Sequence, residues 1–209
     1  ILNDNPDVGL CGTGVEVFGG QIGSGRRRYE AWLNGLVDHD DIVRELFVEC
    51  PIAHPSFMVR RGTFDETGGY TDEGWAEDYD LVMRLFLAGK RFAKSPQPLL
   101  RWRESSTRLS MRDPRYGPER FRALKRAYLF RSYLAAARPF FQWGAGEVGK
   151  PWLREWEGDK PLAVVDINPR KIGRRIHGYA VIPPEDLPPS GGAFVVVAVE
   201  EVDVDADEV

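Results

Sequence analysis

The chain has 209 residues, 43% of them hydrophobic and 29% charged, which suits one large or two small globular domains and excludes a wholly disordered protein. The formal net charge of −4 argues against a dedicated nucleic-acid-binding protein, so we expect no nucleic-acid partner. No apolar run reaches the ~18 residues of a membrane-spanning helix, and the first six residues do not resemble a signal peptide.

The first fifty residues predict a strand, a loop and a helix. Val8–Phe18 is apolar with glycine interruptions, which predicts a buried strand. Residues 23–28 combine two glycines with three arginines, and we expect a solvent-exposed loop there. Residues 40–48 carry apolar side chains at helical spacing, and Asp40 or Asp41 would cap the start of this helix.

The next fifty residues predict a compact mixture of strands and one amphipathic helix. The helix spans residues 78–88 and stops at Gly89. Short apolar runs predict three strands, at residues 57–61, 91–94 and 98–103.

A long basic helix is predicted at residues 118–137, with Pro118 in its first turn. Its basic face favours a solvated surface, and contact with anionic lipid is the alternative. We therefore expect a first domain at residues 1–117, a closing or linker helix at 118–138 and a second domain at 139–209.

The second domain follows the pattern of a strand, a glycine turn, a helix and a strand. The strands are predicted at residues 140–143 and 162–166, the helix at 148–156, and a third strand at 194–199. A strand, helix and strand within so few residues form a βαβ unit, which requires a parallel sheet, and we expect the fold class of the whole chain to be α/β.

The glycine turn is Gly144-x-Gly146-x-x-Gly149, and Asp166 ends the following strand. Glycines of this spacing allow close backbone approach to a phosphate, and an acid in the position of Asp166 is suited to a ribose hydroxyl. The alternative is a fold retained for packing or assembly alone.

Three carboxylates, Glu77, Asp78 and Asp80, lie where a loop enters the predicted helix at 78–88. One interpretation is capping, because acids at a helix start accept free N–H bonds and suit the helix dipole. The other is a general base that takes a proton from a substrate hydroxyl. These three residues alone leave both interpretations open.

The surrounding motifs occur in a definite order: His54-Pro55-Ser56, Gly68-Gly69-Tyr70, Trp75-Ala76-Glu77-Asp78-Tyr79-Asp80-Leu81, and Leu99-Leu100-Arg101-Trp102-Arg103. This order resembles the C-terminal half of family 2 glycosyltransferases, which are inverting enzymes with a GT-A fold. The resemblance covers about residues 1 to 115. It implies a transferase of bacterial polysaccharide biosynthesis, cytoplasmic or peripheral at the inner membrane face, with a nucleotide-sugar donor and a carbohydrate or lipid-linked acceptor.

The resemblance also implies roles for individual residues. The second acid of the Glu-Asp pair looks like the catalytic base, which gives that role to Asp78, and Glu77 would orient Asp78 or the acceptor. The substrate-binding positions implied or suggested are five: Trp75, His54, Asp80, Arg101 and Arg103. For the tryptophan, the histidine and the arginines, purely structural positions in the core or at a strand edge are the alternatives.

The family holds a divalent cation, Mg²⁺ or Mn²⁺, with an Asp-x-Asp motif that precedes the segment resembling residues 5–9. That motif is absent here, so we expect this chain to be a fragment that begins inside a GT-A domain and lacks its donor half. The run Asp203-x-Asp205-x-Asp207 is interpreted as a solvated tail. The three histidines and two cysteines show no metal-ligand or disulfide spacing, which favours a reducing cytoplasm.

The second domain resembles the N-terminal nucleotide-binding domain of bacterial sugar O-acyltransferases and similar small Rossmann-like modules. The shared pattern is the Gly-Ala-Gly-x-x-Gly turn, Asp166-x-Asn168-Pro169 and Pro184-Glu185-Asp186-Leu187. It implies a nucleotide, nucleotide-sugar or NAD(P) ligand, in a module that looks truncated after residue 199.

Three functions follow in order of preference. The first is an inverting glycosyltransferase fused to a Rossmann-like module. The second is a non-catalytic module that senses a nucleotide or nucleotide sugar. The third is an NAD(P)-dependent oxidoreductase, which is weaker because no Tyr-x-x-x-Lys partner accompanies the glycine turn. No pattern indicates an oligomeric state.

Overall fold

The computed structural model describes residues 1–105, 107–158, 160–189 and 191–199. The chain divides into two compact units, Ile1–Tyr128 (unit 1) and Leu129–Val209 (unit 2). The division falls within the predicted linker helix at 118–138. The Asp203-x-Asp205-x-Asp207 run lies outside the described residues. None of the helices described is long and apolar enough to cross a membrane.

Unit 1 combines a small mixed sheet with helices. Its strands and helices in chain order are β1 (Val8–Phe18), α1 (Ser24–Gly35), α2 (His39–Glu45), β2 (Met58–Val59), α3 (Arg61–Glu66), α4 (Glu77–Leu87), β3 (Arg91–Arg103) and the greater part of α5 (Pro118–Arg131). The sheet order is β2-β1-β3, with β1 parallel to β3 and antiparallel to β2. Three short 3-10 helices lie at His54–Ser56, Leu109–Met111 and Pro114–Tyr116.

Unit 2 is built on a five-stranded sheet. Its elements are β4 (Phe140–Trp143), α6 (Gly149–Glu155), β5 (Val164–Val165), β6 (Arg175–Ile176), β7 (Tyr179–Ile182), a 3-10 helix at Pro184–Asp186 and β8 (Phe194–Val197). The sheet order is β6-β7-β5-β4-β8, and only the β6–β7 pair is antiparallel. The predicted strand–helix–strand unit is confirmed as β4–α6–β5 with parallel strands, and the α/β class is confirmed with it.

Two predictions for the first fifty residues are wrong. The expected loop at 23–28 is the start of α1, because the Arg26 guanidinium packs over the rings of Tyr29 and Trp102, a tertiary contact that the composition does not reveal. The cap of α2 is Asp38, whose side chain accepts the N–H of Asp41 at 2.9 Å.

Three further boundaries differ from expectation. The two strands predicted at 91–94 and 98–103 form one strand, because irregular pairing with β1 near Gly14 accommodates the intervening prolines. The basic helix ends at Arg131 rather than 137, since the chain turns and buries Leu134. The hairpin β6–β7 was missed because its strands are very short and its turn has positive φ at His177 and Gly178, a conformation typical of two-residue hairpins.

Helix α4 lies at the centre of the unit 1 core. Its residues Tyr79, Leu81, Val82, Met83 and Leu85 are all inaccessible to solvent. They belong to a cluster that also contains residues of β1, α2, β3 and α5. The hydroxyl of Tyr79 donates a hydrogen bond to the carbonyl of Leu46, so a polar atom within this core is satisfied as well.

The carboxylate of Asp80 is buried and receives four hydrogen bonds. Oδ1 accepts the indole N–H of Trp75 at 2.9 Å and the hydroxyl of Tyr128 at 2.7 Å. Oδ2 accepts the hydroxyl of Thr71 at 3.0 Å and Nε of Arg84 at 2.7 Å. These donors join the loop before α4, α4 itself and α5 at a single buried charge.

The Arg84 guanidinium extends the same network by donating to the carbonyls of Thr67 and Gly69. Burial by itself would raise the pKa of Asp80, but the hydrogen bonds from Arg84, Tyr128 and Trp75 lower it below its usual value. The folded state therefore favours the ionised carboxylate.

Replacing Asp80 by alanine should destabilise unit 1 by about 3 kcal/mol, because the largely buried Arg84, 19% exposed, loses its counter-charge. The matched control is Asp65→Ala in α3, which breaks the exposed pair with Arg61 at the same spacing and should cost no more than ~0.5 kcal/mol. Urea unfolding measures both. The Asp80 contribution is present above the unfolded pKa of ~3.9 and disappears as the pH falls through the lowered folded pKa. Equal losses for the two variants would contradict this account.

Candidate functional site

Unit 1 contains a cavity of about 230 Å³ that opens beside the start of α4. Aromatic rings and carboxylates make up much of its wall. The lining residues are Tyr29, Glu49, Cys50, Ile52, Ala53, His54, Asp78, Tyr79, Trp102, Arg108, Ser110, Tyr116 and Phe121. Of the predicted site residues in unit 1, the structure brings Asp78 and His54 to this wall.

Asp78 is the second residue of α4, and its side chain is 16% exposed. Oδ1 accepts the N–H of Tyr79 at 2.8 Å, and Oδ2 lies 3.5 Å from Nδ1 of His54. The other ring nitrogen of His54 hydrogen-bonds with the hydroxyl of Tyr70 at 2.8 Å. Burial raises the pKa of Asp78, although the nearby His54 opposes this increase. The result is an accessible carboxylate with raised basicity, held by a histidine.

Glu77 points to a different set of partners. The hydroxyl of Tyr116 donates to both of its carboxylate oxygens, at 3.2 and 3.3 Å, and Arg115 lies 3.7 Å away. Tyr116 also lines the cavity, and burial, followed by Asp78 and Glu77, raises its pKa. Glu77 thus holds Tyr116 at the cavity wall, and it lies next to Asp78 in sequence without lining the cavity itself.

Two predicted substrate-binding residues lie behind the cavity wall. The Asp80 carboxylate has all four of its acceptor positions filled and is 1% exposed, so no surface remains for a substrate. Trp75 is packed against the core and donates its indole N–H to Asp80. The contacts of both residues hold the start of α4 in place.

The predicted pair Arg101 and Arg103 shares one face of β3, but this face is exposed. Both guanidinium groups lie over the ring of Phe18, at 4.5 and 5.6 Å, and Arg101 pairs with Glu16 at 3.5 Å. Trp102 points the opposite way and lines the cavity. Period-two alternation is present as expected, but the residue between the two arginines is the one at the site.

A group of two arginines and one glutamate adjoins the cavity and was missed. Glu104 lies 2.9 Å from Nε of Arg26 and 3.2 Å from Nη2 of Arg108, so two cations share one carboxylate. Nε of Arg108 and Nη2 of Arg26 are buried with no hydrogen-bond partner in the described part of the chain, and the Arg26–Glu104 ion pair lacks hydrogen-bond geometry. Arg108 lines the cavity. The proximity of residues 26 and 104 depends on the pairing of β1 with β3, which no local pattern shows.

The described residues offer no ligand set for the divalent cation that the family resemblance implies. Within residues 1–105, 107–158, 160–189 and 191–199, no three His, Cys, Asp or Glu side chains are close enough to hold a metal ion. The two carboxylates that line the cavity are those of Glu49 and Asp78.

Unit 2 contains a second pocket, of about 290 Å³, beyond the carboxyl ends of three parallel strands. It lies where β4 has β5 on one side and β8 on the other, which is the switch point at which open α/β sheets bind ligands. The lining residues are Trp143, Gly144, Gly146, Glu147, Val148, Asp166, Ile167, Lys171, Ala198 and Val199.

The glycines of the turn serve close packing as well as access. A side chain on Gly149 would place its Cβ 2.1 Å from the carbonyl oxygen of Gly144, and one on Gly144 would lie 2.6 Å from that of Ala198. Around Gly146 the space is open, and this residue lines the pocket. Only the first two predicted glycines therefore face the pocket, while Gly149 packs behind it.

Asp166 lies at the pocket, but its carboxylate is largely engaged. Oδ2 accepts the N–H of Ala145 at 3.1 Å and Nζ of Lys171 at 2.8 Å, and Oδ1 accepts the N–H of Asn168 at 2.9 Å. Burial alone would raise its pKa, but these hydrogen bonds lower it. The contacts hold the glycine turn to the end of β5, a role that sequence reasoning did not anticipate.

No protein-family model matches the chain, and a search of curated proteins returns no match. A function for either site therefore depends on the residues themselves and on their geometry.

Replacing Gly149 by alanine should destabilise unit 2 by about 2 to 3 kcal/mol, because the added methyl group meets backbone that cannot move aside. Gly146→Ala is the matched control, since no atom lies within 4 Å of its new Cβ, and its effect should stay within ~0.5 kcal/mol. Urea unfolding followed by tryptophan fluorescence checks both, because Trp152 and Trp156 are buried in unit 2. An equal effect of the two substitutions would show that the tight turn is wrongly described.

Proposed function

We propose that unit 1 carries the acceptor side of an inverting glycosyltransferase, with Asp78 as the general base. The observation that carries this proposal is the Asp78 carboxylate at the wall of an aromatic-lined cavity, with a pKa raised by burial. A base of raised pKa receives a proton more readily, and aromatic faces pack well against the C–H faces of a sugar. The order of motifs that resembles family 2 glycosyltransferases supports the same function.

In the proposed reaction, Oδ2 of Asp78 accepts the proton of an acceptor hydroxyl. The hydroxyl oxygen attacks the anomeric carbon of the donor sugar and forms the new C–O bond with inversion. The bond between that carbon and the phosphate oxygen breaks, and its electron pair leaves with the nucleoside diphosphate. His54, at 3.5 Å from Oδ2, orients the carboxylate before the proton is transferred.

The reaction also needs positive charge near the leaving nucleoside diphosphate, and the cationic group at Arg26 and Arg108 supports the proposal on this point. With one glutamate between two guanidinium groups, a formal charge of +1 adjoins the cavity. A cation beside developing phosphate charge stabilises the transition state more than the ground state. Arg108 is the member of this group that lines the cavity, and a guanidinium group is suited to phosphate oxygens.

In the full-length protein, Asp78→Asn should lower sugar transfer by about 100- to 10,000-fold, since the amide cannot accept the proton. The measurement is release of nucleoside diphosphate from UDP-glucose, UDP-N-acetylglucosamine, GDP-mannose or dTDP-rhamnose, with p-nitrophenyl glycosides as acceptors. Asp65→Asn, at an exposed position, is the control and should leave the rate unchanged.

The pH profile gives a second readout of the same residue. The base must be ionised to act, and burial raises its pKa. As the pH is lowered, kcat/KM should therefore begin to fall at a pH higher than the pKa of ~4 of an ordinary aspartate would give. Transfer by Asp78→Asn at the wild-type rate would rule out the assignment.

Unit 2 has a second candidate function, the binding of a nucleotide, nucleotide sugar or NAD(P). The specific observation is the pocket at the switch point of the sheet, with Gly144 and Gly146 at its wall. Its rim carries exposed apolar side chains, notably Ile167 at 74% and Val199 at 49%, which are suited to the faces of a base. Binding without sugar transfer would favour a sensing module over an enzyme.

Calorimetric titration with NAD, NADP, UDP-glucose and dTDP-glucose tests this function. We expect one of them to bind, and Ile167→Ser to weaken that binding about 10-fold through lost apolar contact. The control is Leu162→Ser, because Leu162 is 62% exposed in the same unit but lies outside the pocket. Absence of binding by all four compounds, or equal effects of both substitutions, would contradict the proposal.

A further inference from the structure

The cavity of unit 1 has a second carboxylate, Glu49, that no motif singles out. We infer that Glu49 binds a hydroxyl group of the acceptor, so that the cavity accepts a sugar ring or similar polyol held between Asp78 and Glu49. This inference rests on the proposed glycosyl transfer and assigns the acceptor class to the same cavity.

The backbone sets Glu49 at the cavity wall. Helix α2 ends at Glu45, a short turn follows, and the N–H of Glu49 donates to the carbonyl of Glu45 at 3.4 Å. Oε1 of Glu49 accepts the N–H of Cys50 at 2.9 Å. No other hydrogen bond to this carboxylate is found in the described part of the chain, so its second oxygen keeps its acceptor capacity.

Charged and titratable groups face Glu49 from several elements. Burial raises the pKa of Glu49, and Asp78 on α4 raises it further, while the N–H of Cys50 and the ammonium group of Lys125 on α5 lower it. Lys125 itself donates to the carbonyl of Val48 at 2.6 Å rather than to the carboxylate. Glu49 also raises the pKa of Tyr29 on α1, after the larger effects of burial and of Cys50.

Glu49 lines the cavity, and its second oxygen is not one of the buried side-chain atoms without a partner, so a ligand hydroxyl can donate to it in exchange for water. A hydroxyl group does so without adding charge to a cavity that already has Arg108 at its wall and Lys125 close by. Trp102 and Phe121 add flat apolar faces for the ring of such a ligand.

The size of the cavity agrees with a single ring. At about 230 Å³ it is smaller than the ~300–1,000 Å³ pockets of drug-sized ligands. Asp78 and Glu49 lie on separate elements, one at the start of α4 and one after α2, so they can engage two different hydroxyls of one acceptor. The hydroxyl at Asp78 is the one that reacts. The hydrogen bond to Glu49 orients the acceptor and so determines which of its hydroxyls reaches Asp78.

The test uses methyl glycosides of glucose, galactose, mannose and rhamnose, together with the monodeoxy analogues of the one that binds best. Binding is followed by saturation-transfer NMR titration. In the wild type, removal of one particular hydroxyl should weaken binding about 10- to 100-fold, as for a lost hydrogen bond to a charged group. Glu49→Gln should weaken binding of the parent glycoside similarly and abolish its advantage over that deoxy analogue.

The matched control is Glu16→Gln, which alters an exposed glutamate outside the cavity and should change neither affinity nor deoxy discrimination. In transfer assays, Glu49→Gln should raise the acceptor KM at least about 10-fold and leave the donor KM unchanged. No saturable binding by any of the four glycosides, or a deoxy discrimination that survives Glu49→Gln, would overturn the inference.

The two proposals fail separately. If Asp78→Asn abolishes transfer while Glu49→Gln behaves like Glu16→Gln, only the role of Glu49 is wrong. If Asp78→Asn leaves transfer unchanged, the proposed base fails whatever Glu49 does.

Discussion

The buried carboxylate of Asp80 constrains the rest of unit 1. A charge that is 1% exposed must have its hydrogen-bonding capacity filled, and four donors from different segments converge on it. Residues two positions apart on an α-helix point in directions about 200° apart around the helix axis. Because Asp80 faces the interior, Asp78 faces the opposite side of α4. The network that satisfies the buried charge therefore also aims the accessible one into the cavity.

The cavity combines two electrostatic environments in one small space. The carboxylates of Asp78 and Glu49 line the cavity, and burial raises the pKa of both. Arg108 lines it as well and shares Glu104 with Arg26. In the proposed glycosyl transfer one group gains a proton while another gains negative charge, and the proposal assigns one environment to each.

Unit 2 uses an acid in the same way as unit 1. Asp166 directs its carboxylate to Ala145, Asn168 and Lys171, and so ties the glycine turn to the end of β5. The sequence pattern indicated a ligand-binding acid, yet these hydrogen bonds are internal. What remains for a ligand is an open space at Gly146 with an apolar rim at Ile167. Recognition there would depend on shape and apolar contact more than on this carboxylate.

Local pattern alone determined the α/β class, β1 and β4 to the residue, and the strand–helix–strand unit of unit 2, because periodicity and glycine spacing act over a few residues. The acids at the start of α4 were visible in the sequence too, but their pattern left capping and catalysis open. Tertiary structure decided that Asp80 is internal, that Trp102 rather than its neighbouring arginines faces the cavity, and that Arg26 and Glu49 adjoin or line the site. Those outcomes depend on contacts between segments far apart in the chain. The partners of a buried charge are the groups that the fold brings within hydrogen-bond distance, and local sequence does not specify them.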